Sequence, residues 1–186
     1  MTPKVFLDSQ GQPFAHTVLD ARAGVLHQRG NYMMASHLDR TPMLDSEIFE
    51  NIKTLCHKAE NSMDQKRFEE SKLALTEALE QLPQPSSQWN AAGWILLALG
   101  ENAACARDYK AVIEALGKAV YTPGTIGNPW LHLRFGQAHF ELRNKDGAAS
   151  ELIRAYMGGG RDIFLDLDPK YFRFLQTSVQ APQGGW

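Results

Sequence analysis

Charge of one sign is scarce in this sequence: 19 basic and 21 acidic side chains leave a formal charge of −2 over 186 residues. No strong field exists to gather nucleic acid or an anionic membrane, so neither is expected as a partner. Cysteine is also scarce. Cys56 and Cys105 stand far apart within helical patterning, and the expectation is two reduced thiols acting as small apolar residues, with no disulfide. No apolar run of about 18 residues occurs, and the opening MTPKVFLDSQGQPF lacks both the basic and the apolar regions of a secretory signal. A cytoplasmic location is the expectation.

The motifs of common catalytic sites are missing as well. There is no Gly-x-Ser-x-Gly, no dinucleotide fingerprint and no kinase signature, and Gly158–Gly160 is followed by no Gly-Lys-Ser/Thr. Six histidines invite a metal reading. His132 and His139 are seven residues apart, so on one helix they stand roughly 10 Å apart along the axis, too far to share one zinc. Cys56 and His57 are adjacent, which turns their side chains about 100° apart on a helix and forbids a nucleophile–base pair. His16, His27 and His37 follow no ligand spacing. The expectation is a non-enzymatic protein with no cofactor and no metal; a metal-dependent enzyme using the N-terminal histidines is the weakest alternative.

What the sequence does have is helical periodicity, running with three breaks from about Ser46 to Leu175. Inside it a pattern recurs. Leu55, Ala59, Ser71, Leu75 and Ala78 map onto Trp89, Gly93, Cys105, Tyr109 and Val112 at a displacement of 34. A further displacement of 43 reaches His132, Gly136, Ala148, Leu152 and Ala155. The nine extra residues are expected to lengthen the second helix of the second unit, over Ala103–Tyr121, and to add the loop TPGTIGN before an Asn128–Pro129 helix start. Turns are expected at Pro83–Pro85 and Gly100–Asn102.

Over about residues 50–160 this pattern resembles the tetratricopeptide repeat (TPR) family, whose unit is a helix-turn-helix of 34 residues. The small residues let two antiparallel helices approach, and a large residue of the partner helix fills the hollow. The units diverge from the family at Ser71, Val112, His132 and His139, and the two histidines are expected to pack where aromatic rings usually stand.

The resemblance implies an all-α, TPR-like helical repeat, an α-α superhelix with a non-repeat N-terminal arm and a C-terminal capping helix. The organisation follows as an arm over 1–45 with a short hairpin around VFLDSQGQPF, three helix pairs over 46–160, a capping helix over 161–176 and a flexible tail over 177–186. It also implies a groove lined by the first helix of each pair. Its residues would be Lys53, Cys56, Glu60 and Met63, then Asn90, Trp94 and Leu97, then Trp130, Leu133, Gln137, Phe140 and Glu141. The clamp some family members use for a chaperone tail is disfavoured, because Cys56, Glu60, Ala91 and Trp130 replace most of its basic and amide positions and Arg134 alone matches. The expected function is binding of one dedicated protein partner, as in bacterial toxin-immunity proteins or secretion chaperones. The alternative is a self-assembling scaffold, for instance a homodimer, joined through the N-terminal arm.

Overall fold

The structure, a computed structural model, describes residues 44–165, 167–183 and 185–186. The hairpin expected in the arm lies outside the described residues. Seven α-helices follow one another: α1 Ser46–Asp64, α2 Phe68–Glu80, α3 Asn90–Cys105, α4 Tyr109–Ala119, α5 Pro129–Glu141, α6 Lys145–Gly159 and α7 Pro169–Ser178. No strand occurs among the described residues. The fold is an all-α helical repeat. Each odd helix packs on the next to form the pairs α1/α2, α3/α4 and α5/α6, contacts of α2 with α3 and of α4 with α5 stack the pairs, and α7 closes the stack on α6.

Local chemistry sets the helix starts. Asp45, Asp108, Asn144 and Asp168 each accept a backbone N–H of the first turn, and Asn128 accepts two, those of Trp130 and Leu131, just ahead of Pro129. These caps satisfy amides that have no partner inside the helix. At the far end of α6, Gly160 at φ 65° ends the helix in a conformation that suits glycine.

The turns inside the three pairs share one backbone solution. Lys66, Arg107 and Arg143 all sit at positive φ, 59°, 59° and 62°. They stand 41 and then 36 residues apart, and the buried positions follow the same intervals. Ser71, Val112 and Ala148 are equivalent and fully buried; so are Leu75, Leu116 and Leu152, and so are Ala78, Ala119 and Ala155. On the opposing helices the small residue is Ala59, Gly100 or Gly136. A β-carbon placed on Gly136 would come within 2.8 Å of Leu152 Cγ and 3.0 Å of its backbone nitrogen, and one on Gly100 would collide with Leu116. Each pair is therefore keyed by one leucine set over one small residue.

This register corrects the expected alignment of the second unit, which slips by seven residues. Its keying residue is Gly100, inside α3 and buried, so Gly100–Asn102 is no turn. Gly93 serves a different contact. A β-carbon there would stand 2.8 Å from Thr125 Cγ2 and 2.9 Å from the Pro123 carbonyl oxygen, so the glycine makes room for the α4–α5 loop. The extra residues do not lengthen α4 either, which at 11 residues is shorter than α2 at 13 or α6 at 15. They extend the approach to α3 and build residues 120–128, where the Thr125 hydroxyl donates to the carbonyls of Ala119 and, at 2.9 Å, Thr122. A slip of seven turns a helix by only about 20°, so the same apolar face is presented in either register.

The C-terminal segment differs from expectation too. A short 3-10 turn, Asp162–Phe164, precedes α7, which begins at Pro169 and ends at Ser178. The tail expected to be flexible carries Trp186 back onto the protein, its ring 5.1 Å from that of Tyr156 and 5.8 Å from that of Phe172.

Candidate functional site

The first helices α1, α3 and α5 present equivalent residues in rows. Lys53, Trp94 and Trp130 make one row, Cys56, Leu97 and Leu133 a second, and Glu60, Glu101 and Gln137 a third. Lys53, Glu60, Asn90, Trp94 and Trp130 are half-buried, as expected of a lining that still meets solvent. Leu97 and Leu133 are not groove residues: they are 6% and 0% exposed. Leu97 joins the core around Leu96 and Leu131, and Leu133 belongs to the core cluster that takes in Leu152 of α6 and Tyr171 and Leu175 of α7. Burial of the middle row also raises the Cys56 thiol to about 12, with Glu60 adding to the effect, which keeps the thiol protonated and unreactive. Burial likewise raises the Cys105 thiol.

The third row holds what sequence reasoning missed. Glu101, only 6% exposed, accepts two bonds from Arg134, from Nε at 2.8 Å and from Nη2 at 2.6 Å. Arg134 donates a third, from Nη1 to the Gln137 amide oxygen at 3.0 Å, and its guanidinium lies 4.6 Å from the centre of the Trp130 ring. A planar guanidinium meets a carboxylate and a ring together in this way; an ammonium does not. Gln137 is thereby 7% exposed and occupied inside the protein. Glu101 escaped notice because the slipped register put Gly100–Asn102 into a turn, whereas the correct one aligns it with Glu60 and Gln137.

The cap engages the remaining two expected residues. Phe140 takes edge contacts from Tyr171 and Phe174 at 5.4 and 5.1 Å. Glu141 accepts a bond from the Tyr171 hydroxyl at 2.8 Å and pairs with Lys170 at 2.6 Å. The Lys170 ammonium holds the Glu141 carboxyl below its ordinary value despite an opposing contribution from burial, and Glu141 in turn raises Lys170. The Tyr171 phenol is pushed up to about 12 by burial and by its bond to that carboxylate.

Between these groups lies a half-open cleft of about 420 Å³, lined by the end of α3, the start of α4, α5 and the start of α7. Its walls bring together Arg107, Tyr109, Arg134, Glu141, Lys170 and Tyr171. The ionic groups are mostly in pairs, so the cleft offers directional hydrogen bonds with little net charge. Burial raises the pKa of Cys105, the thiol in its wall, which disfavours the thiolate.

Of the two α5 histidines, His132 packs inward as expected, whereas His139 is half-exposed. His132, 8% exposed, contacts Glu151 of α6 through Nδ1 at 2.6 Å, and His139 lies against the Phe135 ring at 4.8 Å. Burial lowers the pKa of His139. Among the described residues no group of three or more His, Cys, Asp or Glu side chains could hold a metal ion, and no helix is long and apolar enough to cross a membrane. No family model matches the chain, and no curated protein matches it.

Proposed function

We propose that this chain is a divergent TPR protein that binds one dedicated protein partner, without catalysis, across the face of α1, α3 and α5 and the cleft beside α7. The observation that carries the reading is the half-buried pair Trp94 and Trp130, equivalent residues on consecutive first helices, with the Glu101–Arg134 pair fixed beside them. Aromatic side chains on a rigid polar support are the usual anchors of protein interfaces, and water left on their surface costs about 25 cal/mol per Å². The cleft supplies polar groups to orient the partner segment. The type of protein that fits is a cytoplasmic toxin-immunity protein or a chaperone of a secreted substrate, in which a small repeat domain holds a single client.

The experiment is an affinity isolation of the full chain from its native host, repeated with Trp94→Ala and with Trp130→Ala. A stoichiometric protein that is held by the parent chain and released by at least about tenfold weaker binding in either variant is the expected outcome. A partner whose affinity ignores both substitutions would place the interface elsewhere.

A further inference from the structure

The three most exposed large apolar side chains of the described residues are Tyr121, Met157 and Ile126, at 84%, 79% and 75%. The topology gathers them at one end of the stack. Helices alternate in direction along it, so the ends of α4 and α6 lie beside the starts of α1, α3 and α5. A β-carbon on Gly158, next to Met157, would come within 3.0 Å of Pro129, three residues beyond Ile126. Tyr121 and Ile126 flank the segment that the Thr125 hydroxyl ties to the carbonyls of Ala119 and Thr122, which fixes both on one short loop. This edge is also bare of charge: no Asp, Glu, Lys or Arg occurs between Lys118 and Arg134, nor between Arg154 and Arg161. An exposed apolar surface without charge on it is a place where another segment docks.

The chain itself carries a segment that fits. Leu44, where the described residues begin, packs with Ile48 against the core around Leu82 and Trp89, so residues 1–43 join the fold at this same end. Within them, residues 30–38, GNYMMASHL, are likewise free of Asp, Glu, Lys and Arg and bring Tyr32, Met33, Met34 and Leu38. An uncharged apolar segment loses no ion hydration on docking against an uncharged surface, and unbranched methionines adapt to an irregular one. The reach is sufficient. Met33 precedes Leu44 by eleven residues, about 35 Å of extended chain. Helix α2 lies against both α1 and α3, so these two are no more than two packed spacings apart, about 20 Å. The loop of Tyr121 and Ile126 rests on α3, through Pro123 and Thr125 at Gly93.

We propose that residues 30–38 dock on this edge of their own chain, with Tyr32, Met33 and Met34 against Tyr121, Ile126 and Met157. The contact removes the three exposed side chains from water and leaves Arg29 and Asp39 outside the apolar seat. Docking there does not depend on a partner for the Trp94–Trp130 face.

Disulfide trapping in the full chain tests it, with the parent and each single variant as controls for Cys56 and Cys105. Met33→Cys should cross-link with Ile126→Cys or Met157→Cys within one chain, in at least about tenfold higher yield than with Leu142→Cys, which is exposed at the opposite end of the stack. Ile126→Asp, at a side chain that touches water, should keep the helical circular dichroism and speed chymotrypsin cleavage after Tyr32 at least about tenfold, because cleavage follows the undocked population. Cross-linking of Leu142→Cys in equal yield, cross-links that form between chains instead of within one, or a cleavage rate indifferent to Ile126→Asp would overturn the proposal.

Discussion

Arg134 commits three of its five N–H donors inside the protein, two to Glu101 and one to Gln137. The partners are unequally exposed, with side chains at 20% for Arg134 and 7% for Glu101. Removing the arginine leaves a buried carboxylate without a counter-charge, whereas removing the glutamate leaves a guanidinium that still reaches water and the Trp130 face. Arg134→Ala should therefore cost about 2–3 kcal/mol and Glu101→Ala about 1 kcal/mol, measured as the difference in urea midpoints at constant slope. Equal losses would mean that the pair contributes only through its packing. Neither residue stands out in the amino-acid sequence as part of a pair, since 33 positions separate them.

At the scale of the helix, α7 is attached through one carboxylate. Glu141 receives both Tyr171 and Lys170, and the effects on the three groups set a pH window for the cap. The folded-state pKa of Glu141 is depressed, so its contribution is present above the ordinary 4.5 and is lost as pH falls through the lower folded value. That of Tyr171 is raised from 10 to about 12, so its contribution is whole below 10 and fades as pH rises from 10 to 12. A phenol absorbance titration of the parent chain against Tyr171→Phe should show one tyrosine ionising with an apparent midpoint near 12 and loosening of α7 in the same range. A variant with an unchanged high-pH component would detach Tyr171 from that role. The seven-residue register slip belongs to this scale as well: amphipathic pattern names the buried face of a helix but not its longitudinal position, which the Gly100–Leu116 and Gly136–Leu152 contacts decide.

Among the described residues, the three helix pairs form one continuous stack in which the main contacts run between neighbouring units, the condition under which terminal units can open first. The two thiols report on this from different places, Cys56 within α1 and Cys105 at the junction of α3 with α4. Burial raises both pKa values, Cys56 to about 12, so in the native state at neutral pH each should react with a disulfide reagent far more slowly than in urea. If the stack unfolds as one body, the two thiols become reactive over the same urea range; earlier exposure of Cys56 would show α1/α2 opening independently.

The sequence by itself determined the helical class, the cap at Asn128, the third unit's spacing relative to the first and the inward packing of His132, because each follows from the local pattern of the chain. Only the tertiary structure decided the spacing of the middle unit, the burial of Leu97 and Leu133, the meeting of Glu101 with Arg134 and the return of Trp186 to α6 and α7. Those depend on which surfaces of distant helices meet, and a residue's exposure is set by the neighbour that covers it, a quantity that local periodicity does not contain.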